Sequence, residues 1–344
     1  MLIDKITNSV KNLKLDLNGK IVLTEAASGP YIVTPIIAAL SGAKVYAFSK
    51  TTNYGSFDEI KRDTIDLAKK LNIDSKIKVI DSLNENIISK VDIVTNSGHL
   101  RPLNSNILKY LKSNSVISLM YESWEFRESD LDLNFCKKNN IKVAAMNERH
   151  PDIDVFSYLG DMAIKMILDA GLCLNNNLFV LICNNDFGPY IAKTLSKNCK
   201  MLGVCDLKKN KHKYSNLKIN WIGNFPNFSV DKNLSRCEAI IFTAYPFTKS
   251  WIGSKNNIID VKKIEKEFKN PFILRFAGHV DEADLFNNKI NFYPNKVSPG
   301  HMGIIPSEIG YDPIIRLQSG GLKVGQASIE NKSLYNNVKI YDLL

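Results

Sequence analysis

Apolar positions along this chain fall into two patterns. Short, nearly continuous apolar runs recur at Lys20–Thr24, Lys44–Phe48, Ile77–Ile80, Ile93–Thr95, Val116–Met120 and Lys142–Ala145. They recur again at Leu178–Cys183, Met201–Cys205, Lys218–Trp221, Ala239–Phe242 and Phe272–Phe276. Between them lie longer stretches whose apolar residues follow a helical spacing. Short runs of this kind read as strands buried on both faces, as in parallel sheets. Two strand–turn–helix units stand out. The first has strand Lys20–Thr24, a turn Glu25-Ala-Ala-Ser-Gly29 and a helix with Pro35 in its first turns. The second has strand Leu178–Cys183, a turn through Gly188, helix Pro189–Leu195 and strand Met201–Cys205. The alternation predicts an α/β fold of two Rossmann-like or flavodoxin-like domains, with parallel sheets and a cofactor cleft between them.

The stretch Asp154–Leu172 carries apolar residues at Val155, Leu159, Met162, Ala163, Met166 and Ile167, the spacing of a helix that joins the domains. Asn175-Asn-Asn177 then punctuates the entry to the second domain. A last helix, Asp312–Leu322, and a final strand, Val338–Leu343, are expected to return to the first. The predicted division is therefore 1–153, completed by 310–344, and 154–309.

Composition narrows the function. At 344 residues the chain suits two domains, and 44% hydrophobic with 23% charged residues describes a folded protein. Lys and Arg exceed Asp and Glu by 45 to 35, but the excess is scattered, and Lys208–Lys213 is the one dense basic run. That reads as a solvated surface with a mild pull on a small anionic substrate, not as a nucleic-acid face. The six cysteines show no metal spacing, so no metal is expected. No signal peptide opens the chain and no apolar run reaches about 18 residues, so neither secretion nor a membrane span is expected. A cytoplasmic enzyme with reduced thiols follows.

The second strand–turn–helix unit is where a dinucleotide would sit. A pyrophosphate needs a tight turn, close backbone approach and a helix N-terminus aimed at it. The expected G-x-G-x-x-G reads Cys183-Asn-Asn185-Asp-Phe-Gly188, so only the third glycine remains. Asn185 stands where backbone should approach phosphate, and its amide could itself donate. Phe187, Gly188 and Pro189 open the helix. Asp206 lies 18 residues past Gly188 at the end of the next strand, where an acid binds a ribose hydroxyl and favours NAD over NADP.

Three later pieces follow: Phe242-Thr-Ala-Tyr-Pro-Phe-Thr248, Arg275-Phe-Ala-Gly-His-Val-Asp-Glu-Ala-Asp-Leu285 and Ser298-Pro-Gly-His-Met-Gly303. In this order they resemble the "H-x-P-x-T", "A-R-G-x-x-V-D-E-x-x-L" and "T-P-H-x-G" segments of the D-2-hydroxyacid dehydrogenase family. Upstream, Val91–Ser97 is similar to that family's substrate-loop strand, and Asp130–Val143 to its "N-x-D-x-x-x-A-x-x-x-G-I-x-V". The resemblance spans roughly residues 88–320. It implies that 154–309 binds NAD or NADP, and that hydride passes between nicotinamide and a hydroxy or keto acid or related secondary alcohol. It further implies that Thr243, Ala244, Tyr245 and Pro246 adjoin the nicotinamide, that Arg275 holds the substrate carboxylate, that His301 is the acid/base, and that the protein is a homodimer. The chain departs from the pattern in its early Arg, its extra Gly300 and the absence of any acid in Phe286–Val297, where the family's catalytic Glu would fall. Glu308 is the acid nearest in sequence that could replace it.

The residues carry their own reasons. His301 lies in a loop, and imidazole titrates near the working range for proton transfer. Arg275 follows the apolar run Pro271–Leu274, which would put it at a strand's C-terminal end with a fork suited to a carboxylate. Asn96, Ser97, Gly98 and His99 follow a short strand and are candidates for substrate contact. So are Tyr121 and Glu122 at another strand end, and Glu25 in the first turn, with a phosphate-bearing group conceivable near Ser49 and Lys50. Two other readings remain open: an adenosylhomocysteinase-like hydrolase or lyase with bound NAD, and a non-redox Rossmann protein that binds a metabolite.

Overall fold

The apolar runs of the first half form the strands they predict, because a parallel sheet covered on both faces buries nearly every residue of each strand. The computed structural model describes residues 1–254, 257–298 and 300–344. Along the chain, β1 (Ile21–Glu25), β2 (Lys44–Phe48), β3 (Ile77–Ile80), β4 (Ile93–Thr95), β5 (Val116–Leu119) and β6 (Lys142–Met146) pair in parallel, in the order β6-β5-β4-β1-β2-β3. Val22 pairs with Ile93 and Leu23 with Val94, which sets β1 against β4. On one face, Val22, Ile36, Ile93, Ile314 and Leu322 form one core; on the other, Leu23, Val94, Ile117 and Leu119 form a second.

A second unit takes up Phe156–Ile309, while the first comprises Met1–Val155 and Gly310–Leu344. The predicted joining helix begins as a short 3-10 turn at Phe156–Tyr158 and becomes α-helical over Leu159–Asp169. The second sheet uses β7 (Leu178–Cys183), β8 (Met201–Asp206), β9 (Asn220–Asn224), β10 (Asn227–Phe228) and β11 (Ala239–Thr243). After them come β12 (Ser250–Gly253), β13 (Ile259–Asp260), β14 (Phe272–Ala277), β15 (His279–Val280) and β16 (Asn291–Tyr293). The large sheet has the order β10-β9-β8-β7-β11-β14-β16, and β12, β13 and β15 make a small separate one. Only β10 runs antiparallel in the large sheet.

The chain then returns to the first unit in the helix Tyr311–Ile329, longer than predicted. A Cβ at Gly320 would stand 2.5 Å from Met146 Sδ, and one at Gly321 would stand 2.4 Å from Met120 Sδ. The absent side chains let this helix press directly on the sheet. The expected single last strand is instead two pieces. Val338–Lys339 (β18) forms a hairpin with Leu334–Tyr335 (β17), and Tyr341–Leu343 (β19) runs antiparallel beside β6. Among the described residues no helix is long and apolar enough to cross a membrane.

Candidate functional site

In an open parallel sheet, ligands bind outside the carboxyl ends of the strands, where the strand order reverses. Each unit has one such point: between β1 and β4 in the first, and between β7 and β11 in the second.

In the second unit the crevice is bridged by its own side chains. Asn184 accepts from the Tyr245 backbone N–H at 2.8 Å and donates to the Tyr245 carbonyl at 3.2 Å. The Asn185 amide donates to Thr243 Oγ1 at 3.0 Å, and its oxygen accepts the Phe187 N–H that opens the helix Phe187–Asn198. Thr243 and Ala244 are buried, and Tyr245 and Pro246 are exposed. Gly188 keeps its packing role: a Cβ there would meet Cys183 Sγ at 2.4 Å and the Tyr214 hydroxyl at 2.5 Å. Pro189 is partly exposed just beyond.

Two candidates of this turn are enclosed. Phe187 is buried and packs on Phe156, Phe247 and Phe276. Asp206 is 0% exposed, with its carboxylate occupied by donors of its own unit. Its carboxylate accepts from Tyr214 Oη at 2.6 Å, from the Leu207 N–H and from the Asn210 amide. Burial raises its pKa, against the pull of these donors. Tyr214 and Asn210 went unnoticed in the sequence because they sit in and beside a lysine run that reads as solvated surface. Lys213 itself pairs with Asp186 at 2.8 Å.

Arg275 departs from its expected place at a strand end. It lies inside β14, not at its end, and is 1% exposed. Nη1 donates to Glu282 Oε1 at 2.8 Å and Nη2 to the Pro294 carbonyl at 2.9 Å. The guanidinium thus ties β14 to the loop after β16. His301 is exposed in the turn that follows, with its N–H on the Ser298 carbonyl at 3.1 Å. The next residues dock on β14 itself: Gly303 donates to the Phe276 carbonyl at 2.8 Å, and a Cβ on Gly303 would lie 1.9 Å from the Arg275 carbonyl oxygen. Pro299, part of the same predicted motif, lies outside the described residues. Glu308 turns its carboxylate onto the Ile305 N–H at 2.8 Å.

The first unit's crevice is built differently. Glu25 ends β1, only 5% exposed, and among the described residues one donor reaches it, the His99 N–H at 3.0 Å. Burial raises its pKa, partly countered by that N–H and by Arg101. Asn96, 0% exposed, donates to Tyr121 Oη at 2.8 Å, while its carbonyl oxygen Oδ1 accepts nothing. Arg101 clamps the Asn96 main-chain carbonyl with two bonds and stacks 5.3 Å from the Tyr121 ring. Burial lifts the Tyr121 hydroxyl to about 12. Ser97 is buried and bonded to Thr95, Gly98 is exposed, and His99 lies 3.5 Å from Ser49 Oγ. Burial and Lys50 hold the His99 pKa below its usual value.

Glu122 belongs to a neighbouring cluster. It pairs with Arg149 at 3.0 Å and accepts from Trp124 Nε1 and from the Glu148 N–H. Burial raises Glu122, Glu125 and Glu148 together; Glu125 reaches about 7, through burial and the Glu122 charge. Trp124, Arg149 and Tyr341 line a cavity of about 270 Å³ beside Glu122.

No family profile and no curated protein sequence matches the chain. Solved structures do resemble it. A dipicolinate synthase chain from Bacillus subtilis is similar at a TM-score of 0.61 and 10% identity, over 92% of this chain and 99% of that one. The dipicolinate synthase chain from Bacillus halodurans gives 0.55 and 12%, over 92% and 98%. D-lactate dehydrogenase with NAD+ from Lactobacillus jensenii gives 0.50 and 15%, over 93% and 99%. The chain shares their fold. The resemblance to D-2-hydroxyacid dehydrogenases read from the late motifs is thus matched by the architecture, although so little of the sequence is common.

Proposed function

We propose that this protein is an NAD(P)-dependent oxidoreductase that moves hydride between nicotinamide and a hydroxy or keto acid or a related secondary alcohol. The observation that carries this reading is the fold likeness across nine-tenths of the chain to a D-lactate dehydrogenase whose structure holds NAD+. The strand–turn–helix unit at the second switch point supports it. A dinucleotide fits the second crevice in position but only by exchange of bonds. Gly188 keeps the helix tight on the strand, Asn185 would meet the pyrophosphate, and Thr243–Pro246 would adjoin the nicotinamide. Asp206 would give up Tyr214 and Asn210 for ribose hydroxyls. When bound, the nicotinamide supplies the hydride carrier.

The chain's own part is to hold substrate and move a proton. His301 is the acid/base in this reading, and its imidazole takes or returns the proton at the substrate oxygen. Arg275 acts as a positioning residue through Glu282 and the Pro294 carbonyl, since its burial removes it from direct substrate contact. A cytoplasmic homodimer that takes a small anionic substrate completes the proposal.

The bridged second crevice favours one rival, a non-redox protein that binds a metabolite in the first unit. Titration with NADH and NADPH followed by fluorescence decides between them. Saturable binding of either supports the oxidoreductase, and binding of neither overturns it. Loss of turnover in His301→Ala with NADH affinity unchanged is the expected companion result.

A further inference from the structure

The first crevice contains two hydrogen-bond acceptors that the fold leaves short of donors. Leu23 pairs with Val94 across β1 and β4; Glu25 ends β1 and Asn96 lies one residue past the end of β4, each two residues beyond that pair. Alternation along a strand puts them on the same face of the sheet. Among the described residues Glu25 has the single His99 N–H, and Asn96 Oδ1 is buried with no donor. Buried acceptors are normally satisfied, and one that is not calls for a water, an ion or a ligand group. The approach is open at Glu25, where Gly98 is exposed and a Cβ on it would stand 3.2 Å from Glu25 Oε2; Asn96 Oδ1 lies enclosed behind the end of β4.

Two acceptors require a ligand that presents donors, which means an ammonium or hydroxyls. The charges already present argue against the ammonium. Arg101 acts on the Glu25 carboxylate and Lys50 on the adjoining His99, so a third cation would be repelled. Neutral hydroxyls meet the same acceptors without that repulsion; Arg101 is already engaged by Asp130 at 3.5 Å and by the Asn96 main-chain carbonyl, which leaves Lys50 to suit an acid group elsewhere on the ligand. We propose that this crevice binds the hydroxyls of a polyhydroxylated acid, with the Glu25 carboxylate and Asn96 Oδ1 as paired acceptors. The acid group of this ligand rests on the hydroxy-acid reading above; the hydroxyl contacts do not. The substrate is then a sugar acid, and a short acid such as lactate lacks the hydroxyls the site demands.

Calorimetric titration of the full chain, without nicotinamide, tests this. The probes are aldonates of four to six carbons, their parent sugar alcohols, and D-lactate. At least one aldonate is expected to bind about tenfold or more tightly than D-lactate, as one charge-assisted contact implies. Glu25→Gln, Asn96→Leu and the surface variant Gly98→Ala should each weaken that binding by about tenfold while unfolding cooperatively. No saturable binding by any aldonate or sugar alcohol overturns the proposal. Equal affinity in folded Glu25→Gln and Gly98→Ala overturns it too. A chain that binds an aldonate but neither nicotinamide keeps this site and loses the oxidoreductase reading; the reverse result does the opposite.

Discussion

The two switch points sit at corresponding places in two sheets of like topology, and they have settled their polar groups in opposite ways. In the second unit, Asn184, Asn185 and Asp206 are all bonded within the unit, to Tyr245, Thr243 and Tyr214. In the first, Glu25 and Asn96 Oδ1 stay short of donors. An internal bond stabilises a fold by about 1 kcal/mol, and an unpaired buried polar group costs about 1–3 kcal/mol. The second crevice therefore favours the ligand-free state and must break bonds to admit a guest. The first holds unmet demand that a guest can satisfy. Similar topology does not make two crevices equally ready to bind.

The largest effect should come from the clamp behind His301. Glu282→Ala leaves the Arg275 guanidinium buried without its carboxylate and should cost about 3 kcal/mol in chemical unfolding. Arg275→Met should cost less, because Glu282 is partly exposed and can turn to water. If the order reverses, the clamp is not what orders that loop.

Next comes pH. The Glu125 carboxyl sits at about 7 in the fold against an ordinary 4.5. Between those values the folded chain keeps a proton the unfolded chain releases, so this group makes stability fall as pH rises from 4.5 to 7 and leaves it level above. Glu125→Gln should flatten that stretch and stabilise the protein at pH ~8 by on the order of 1–3 kcal/mol, toward the low end because Glu125 keeps some surface. An unchanged profile in the variant rules out this account of the cluster.

The sharpest contrast is between two asparagines. Asn185→Ala loses the Thr243 bond and the helix-opening bond to Phe187, and should cost about 1–2 kcal/mol. Asn96→Leu loses one bond to Tyr121 but also removes an acceptor that had no donor, so the net change should be roughly 0.5 kcal/mol or less. Comparable losses at the two sites, measured in the same denaturant series, would erase the distinction drawn between the crevices. The smallest effect is expected for Lys213→Ala, whose exposed pair with Asp186 contributes at most about 0.5 kcal/mol.

Much of the architecture could be read beforehand. Lys44–Phe48, Ile77–Ile80, Ile93–Thr95 and Leu178–Cys183 are strands with the predicted ends. A strand buried on both faces has an apolar run as long as itself, and polar turn residues bound it. The final strand was legible over Val338–Leu343, but its split into β18 and β19, the hairpin with β17 and the antiparallel direction were not, because short edge pieces have no such run. The family resemblance was legible in the order of late motifs, though not in any one of them.

The chemistry was legible only as far as residue type goes. From the chain alone come two α/β units, the lost glycines at Cys183–Gly188, the late motifs ending in His301, and a set of polar residues at strand ends. Those depend on local periodicity and spacing, which a linear text carries in full. Only the tertiary structure decided that Arg275 is enclosed by Glu282 and the loop after β16, that Tyr214 closes over Asp206, and that Asn96 Oδ1 finds no donor among the described residues. Each of those is a matter of which distant group arrives to share a hydrogen bond. Packing, not sequence neighbourhood, selects that partner.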